Sequence, residues 1–189
     1  MKIVILSDTH GSLIYIQKVV QQLDELNPDI VIHLGDDYAD TTHFLNKSYK
    51  LLRVPGTWSS FYQDPSIPNR TLEELNGWTF CLSHTPETHY NDLDCDLDPK
   101  IVIEDGLCDI FLHGHTHIPS LTKKNNVIVL NPGHLKINDN RGFPPTYAII
   151  ESSASQLDIS IRHLLEDKLF LTSSVQKKTS GLTLTCDLK

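Results

Sequence analysis

Seven residues of this 189-residue chain combine types and spacing that suit chemistry: Asp8, His10, Asp36, Thr57, His84, His115 and His117. Each follows a short apolar run. Lys2 to Leu6 stops at Ser7-Asp8-Thr9-His10-Gly11, and Ile30 to Leu34 stops at Gly35-Asp36-Asp37. Lys50 to Val54 precedes Pro55-Gly56-Thr57-Trp58-Ser59, and Trp78 to Leu82 precedes Ser83-His84-Thr85-Pro86. Asp109 to Leu112 leads into His113-Gly114-His115-Thr116-His117. A strand tip holds a side chain rigidly while the loop after it stays open to ligand. In an open α/β sheet, ligands bind at the carboxyl ends of strands, so distant segments deliver these side chains to one place.

Two aspartates with four histidines make a mixed oxygen and nitrogen donor set. It suits Mn, Fe, Zn or Ni better than Mg or Ca, which favour oxygen alone. Six donors are too many for a tetrahedral structural zinc, and no sulfur belongs to the set. Two metals sharing one carboxylate fit the donors, and ions about 3.5–4 Å apart clamp the attacking and leaving oxygens of a phosphoryl transfer. Simpler readings apply to single residues. An aspartate after a strand is commonly a cap or turn residue. His33 and His113 read as satisfied core residues, and His43, His89 and His163 as surface residues. Asp92, Asp94, Asp96 and Asp98 read as a solvated acidic loop. His115-Thr116-His117, two imidazoles two residues apart after a strand and a glycine, resists such a reading.

The elements that must position these groups follow from periodicity. Leu13, Ile16, Val19, Val20 and Leu23 fall at helical spacing after Gly11-Ser12, and Asn27-Pro28 ends that helix. Strand, helix, strand implies a parallel pair with a right-handed crossover. Asp40 and Thr41 are expected to cap a shorter helix through Asn46, and another helix is expected near Lys100 to Asp105. Residues 60–77 carry two prolines and read as a long surface loop, with a helical turn at Thr71 to Leu75. Leu121 to Lys124 and Val127 to Leu130, around Asn125-Asn126, predict a hairpin. Tyr147 to Glu151 and Leu157 to Leu164 predict a second. The domain is expected to span residues 1–165. Residues 166–189 stay unassigned, as a mobile tail or an oligomer contact.

Composition narrows the classes. The net charge of −8 argues against nonspecific binding to nucleic acid or anionic membrane, which needs a basic face. Cys81, Cys95, Cys108 and Cys186 form no CxxC pair and fit a reducing cytoplasm. No signal-peptide pattern opens the sequence. No apolar run approaches the roughly 18 residues of a membrane helix.

Ser-Asp-Thr-His-Gly at 7–11, Gly-Asp at 35–36, His84, Gly-His-Thr-His at 114–117 and Asn-Pro-Gly at 131–133 resemble the calcineurin-like metallophosphoesterases. Within that family the chain is most similar to the small single-domain YfcE-like phosphodiesterases. The resemblance covers roughly residues 1–165. It implies an α/β fold, a two-sheet αββα sandwich. It assigns Asp8, His10 and His117 to one metal, His84 and His115 to the other, and Asp36 to the bridge between them. The implied cofactors are two divalent transition metals, manganese first, with iron, zinc or nickel as alternatives.

The sequence also departs from the family. Gly56-Thr57-Trp58-Ser59 stands where the family has Gly-Asn-His-Asp or Gly-Asn-Cys-Asp. Thr57, a weaker neutral ligand, replaces the asparagine of the second metal. Trp58 replaces the histidine that often assists the leaving group, and Ser59 the aspartate that orients it. Thr85 and Pro86 stand after His84, where the family has glycine. The implied activity is hydrolysis of a small phosphate ester, foremost a phosphodiester, by a hydroxide held between the metals. Asp36, His84 and His134 are the residues assigned to that chemistry, with His134 the candidate proton donor. A non-catalytic interaction scaffold is the alternative, since the family includes a retromer subunit of that kind. A metal-storage or sensor protein would carry Cys-rich or open His clusters, which are missing here.

Overall fold

A computed structural model describes residues 1–45, 47–166 and 168–186, apart from the side chain of Cys186. β1 (Lys2–Leu6) enters α1 (Leu13–Leu26), which returns to β2 (Ile30–His33), parallel to β1. A 3-10 helix at Tyr38–Phe44 leads to β3 (Lys50–Arg53), parallel to β2. A 3-10 turn at Ser60–Gln63 then leads to β4 (Arg70–Leu75) and β5 (Trp78–Ser83). α2 (Pro99–Glu104), β6 (Ile110–Leu112), β7 (Ser120–Lys124) and β8 (Val127–Asn131) complete this half. β9 (Thr146–Ser152), β10 (Gln156–His163), β11 (Leu169–Lys178) and β12 (Gly181–Cys186) follow.

Two sheets result. The larger runs β12-β11-β10-β9-β1-β2-β3, and the smaller runs β4-β5-β6-β8-β7. Alternation along each strand decides what faces what. Ile3 and Ile5 join Phe80, Leu82, Ile110 and Leu112 in a core shared by both sheets. Val4 and Leu6, on the opposite face of β1, pack with Ile16, Val19 and Leu23 of α1. Cys81 and Phe111 point away from the shared core, toward Val102 and Ile103 of α2. A strand buried on both faces reads as one continuous apolar run, which is why Ile3 to Leu6 carries no polar residue. The order is helix, sheet, sheet, helix, an αββα sandwich.

The structure corrects three expectations. Thr71 to Leu75 is not a helical turn. It lies in β4, pairing antiparallel with β5 from Arg70↔Ser83 to Leu75↔Trp78. Leu and Glu favour helices, but strand preference depends on the neighbour that pairs, and β5 presents an open edge. The segment 87–98 is not simply solvated. Asp92 is an ion-pair partner of the almost fully buried Arg70, 2.9 Å away, and accepts a hydrogen bond from Tyr62. Asp96 accepts from Asn69. The residues left unplaced at the carboxyl end are not a free tail where they are described. β11 pairs antiparallel with β10 and with β12, and Val175 and Leu182 enter the shared core. Among the described residues, no helix is long and apolar enough to cross a membrane.

Candidate metal centre

The strand ends of both sheets meet at one end of the sandwich. The Asp8 amide donates to the Gly35 carbonyl, and the Gly114 amide to the His84 carbonyl. His84 Nδ1 lies 2.8 Å from the Leu34 carbonyl, which joins the two sheets at this point. Contacts this close restrict the residues between. A Cβ on Gly56 would lie 2.2 Å from the Asp36 Cα, and one on Gly114 would lie 1.9 Å from Ser7 Oγ.

One ligand atom each from Asp8, His10, Asp36 and His117 lies within 4.8 Å of the others. His10 Nε2 stands 2.5 Å from Asp36 Oδ2 and 3.0 Å from His117 Nε2. His117 Nε2 stands 3.3 Å from Asp8 Oδ1. Despite these approaches, Asp8 Oδ1 and Asp36 Oδ2 are buried without a hydrogen bond of acceptable geometry. Proximity without alignment means the lone pairs converge on shared space rather than on each other's protons. Leaving such oxygens buried and unpaired is costly, so a divalent cation fits the donors present. The Thr57 hydroxyl is a third buried oxygen without a partner.

The second pair stands beside this cluster. His84 Nε2 and His115 Nδ1 are 3.3 Å apart, and the His115 amide donates to Asp8 Oδ2. Of the residues singled out from sequence, the structure therefore brings Asp8, His10, Asp36 and His117 into one cluster. It places His84 and His115 as an adjoining pair. Thr57 occupies the loop after β3, with its hydroxyl buried.

Charge within the site is set by burial and by neighbours. Burial would raise the Asp8 carboxyl, but His117, His84 and Ser7 outweigh it and hold it well below the usual carboxylate range. Burial opposes ionisation of Asp36 as well, and its contact with His10 wins. Burial pushes His115 down, with His84 adding to the shift. Burial also pushes on His117, but Asp8 and Asp139 outweigh it and raise that imidazole.

Asp139 went unseen in the sequence. Its carboxylate is almost fully covered, its Oδ1 is 2.7 Å from His117 Nδ1, and its pKa is lowered to about 2. Burial opposes that lowering, and the bond to His117 and the Arg141 amide overcome it. Arg141 Nη1 also lies 2.9 Å from His117 Nδ1 and 3.1 Å from Asp139 Oδ1. One ring nitrogen cannot both donate and accept. The shorter contact assigns Nδ1–H to Asp139, which leaves Nε2 as the lone pair facing the cluster. The Leu34 carbonyl sets the His84 tautomer in the same way.

Asn131 of the Asn-Pro-Gly motif holds the histidine loop. Its Nδ2 donates to the Gly114 carbonyl and to Thr116 Oγ1. Asp8, His10, Asp36, His115 and His117 all have positive φ, from 46° to 78°. Non-glycine residues rarely adopt this conformation, and its cost is sustained where surrounding structure enforces it, most often at functional sites. His134 differs from its expected role. It is buried, its Nε2 lies 3.1 Å from the Phe143 carbonyl, and its Nδ1 accepts from the Lys136 amide. Both nitrogens are engaged by backbone, so the ring supports His117, on which it stacks at 5.2 Å, and offers no proton to a ligand. His33 and His113 are buried, as expected.

Comparison with known proteins agrees with this geometry. A "probable metallophosphoesterase" of Mycoplasma pneumoniae is 29% identical over 169 residues, spanning 88% of this chain and 99% of that protein. A phosphodiesterase of Methanocaldococcus jannaschii is 27% identical over 146 residues, spanning 70% and 83%. Among solved structures, the phosphoesterase YfcE of E. coli superposes with a TM-score of 0.66 at 19% identity, covering 91% of this chain and 98% of that one. Vps29 of Chaetomium thermophilum superposes with a TM-score of 0.67 at 13% identity, covering 99% and 94%. These two show the same fold. Residues 1–155 match the sequence model of the calcineurin-like phosphoesterase superfamily domain, and the chain belongs to that superfamily.

Proposed function

We propose that this chain is a cytoplasmic, metal-dependent hydrolase of small phosphate esters, foremost phosphodiesters, working with two divalent transition metals, manganese first. The observation that carries the reading is the four-residue cluster in which Asp8 Oδ1 and Asp36 Oδ2 are buried without a hydrogen bond. Asp8, His10 and His117 would hold one ion and His84 and His115 the other, with Asp36 shared. Such a pair supplies a water of lowered pKa and neutralises charge on the phosphate oxygens.

The protein's own part is to orient donors and admit the ester. Asp139 fixes the proton on His117 Nδ1, and the Leu34 carbonyl does so for His84 Nδ1. His115, held down by burial, stays neutral near pH 7 and keeps a lone pair available. The His10 side chain is 30% exposed and that of Asp36 14%, so the cluster opens to solvent on their side. Arg141, half-exposed beside His117, is a cation placed to meet an anionic ester.

The test is hydrolysis of bis(p-nitrophenyl) phosphate before and after chelation and dialysis. Activity should disappear and return with Mn²⁺ but not with Ca²⁺. Turnover indifferent to chelation, with no metal left in acid digests, would refute the reading. The scaffold alternative predicts metal binding without turnover in the same assay.

A further inference from the structure

Beside the metal centre, the chain places aromatic rings in solvent. Trp58 is 71% exposed and Tyr90 75% exposed. The two meet edge to face, with centroids 5.8 Å apart. His89 completes the group, 4.3 Å from Tyr90 and tilted by 33°, and 6.1 Å from Trp58. His89 also lies 6.1 Å from His115. An unbroken series of rings thus leads from a candidate metal ligand to the rim, and Trp58 directly follows the buried Thr57.

Single exposed aromatics need no explanation. These are anchored by a buried polar network. Asp92 Oδ2 accepts from the His89 amide at 2.8 Å and from Arg70 Nη2 at 2.9 Å. Arg70, 5% exposed, also donates to Ser83 Oγ and Thr85 Oγ1, tying this loop to β5. Asn91 Nδ2 donates to the Thr57 carbonyl at 2.9 Å, joining the loop that carries Tyr90 to the loop that carries Trp58. A buried ion pair costs desolvation and is weak support for stability, whereas it does fix geometry. Here it fixes two ring-bearing loops relative to one another and to the site.

Resting on the phosphoesterase reading, we propose that Trp58, Tyr90 and His89 form a stacking platform that selects phosphate esters carrying a planar aromatic group, a nucleobase or an aryl ring. Rings held in advance lose little entropy when they stack. Base–aromatic stacking tolerates any base, because each has a π-face, and contributes roughly 5- to 150-fold in affinity. Three side chains fall far short of the roughly 20–30 residues a side in a stable protein interface, which favours a small ring over a macromolecular partner.

Calorimetric titration of the metal-loaded protein with adenosine 5′-monophosphate, phenyl phosphate and ribose 5-phosphate tests this. Adenosine monophosphate should bind at least about tenfold tighter than ribose 5-phosphate. Phenyl phosphate matching it identifies any aromatic ring as sufficient, and phenyl phosphate matching the sugar phosphate identifies the nucleobase. Trp58→Ala and Tyr90→Ala should each bring the preference toward unity while ribose 5-phosphate binds as before, and Trp58→Phe should keep most of it. As a second readout, adenosine monophosphate should quench the emission of exposed Trp58, while Trp78 is fully buried. Equal affinity for the three ligands, a preference unchanged in Trp58→Ala, or no binding of any overturns the platform. Aromatic preference without turnover of any ester would spare the platform and sink the hydrolase. Turnover without aromatic preference would do the reverse.

Discussion

Asp8, His10, Asp36 and His117 crowd four donor atoms within 4.8 Å, whereas His84 and His115 face each other across 3.3 Å with no carboxylate of their own. The first group is also supported from behind, by Asp139 on His117, by Arg141 on Asp139 and by Ser7 on Asp8. The second has the Leu34 carbonyl on His84 and a buried, unpartnered Thr57 hydroxyl in the next loop. Anionic donors and rigid support both tighten metal binding, so the two halves should differ in affinity.

The largest break in this comparison should come from Asp36→Asn. On the proposed assignment it removes the carboxylate shared between the two ions. Metal content, read by mass spectrometry of digests, should fall at both sites together. Activity should fall by more than the roughly 10–100-fold typical of outer partners. Two ions retained tightly would contradict the sharing.

Behind the first half lies His33, whose imidazole is pushed down to about 4 by burial, against the pull of Asp8 and Asp40. Between pH 6.5 and about 4 the unfolded chain binds a proton there and the folded chain does not. Its contribution is therefore complete above pH 6.5 and is lost as pH falls to about 4. The loss amounts to roughly 3 kcal/mol. Urea melts of the metal-free protein at pH 7 and 4.5 should show it, and His33→Gln should reduce the difference, with the share of His113, also pushed down to about 4 by burial, remaining. An equal slope in wild type and His33→Gln would remove His33 as the cause.

Asp139→Asn tests the support behind His117. Metal affinity of the tighter step should drop about 10–100-fold, with little change at the weaker step. If both steps weaken alike, Asp139 acts on the whole loop rather than on one ligand.

Thr57→Asn should have the smallest effect and sharpen the comparison from the other side. A longer side chain with an amide oxygen should tighten the weaker step, on the order of tenfold at most. Two equal steps in the unmodified protein, unchanged by the substitution, would mean that another group already serves the second half.

Much of this is legible in the sequence. Continuous apolar runs are strands buried on both faces, and ligands bind where the carboxyl ends of such strands gather, so several Asp and His residues at those ends mark a site together. β1, α1, β2 and the His115–His117 loop follow from that pattern, and so does the gathering of Asp8, His10, Asp36 and His117. Local sequence could not show what depends on a partner. Arg70 to Leu75 is a strand because β5 offers an edge, and the acidic loop is ordered because Arg70 is buried beneath Asp92. Asp139 supports His117 across 22 residues, from a polar loop with no motif to mark it. His134 looked like a proton donor by its place after Asn-Pro-Gly, and only the Phe143 carbonyl and the Lys136 amide, brought together by folding, reveal both its nitrogens as occupied. Residue type and period determine strands and the ends where chemistry sits. Which polar group meets which is decided by packing, because hydrogen bonds and ion pairs reach only a few ångströms and the chain says nothing of those distances until it folds.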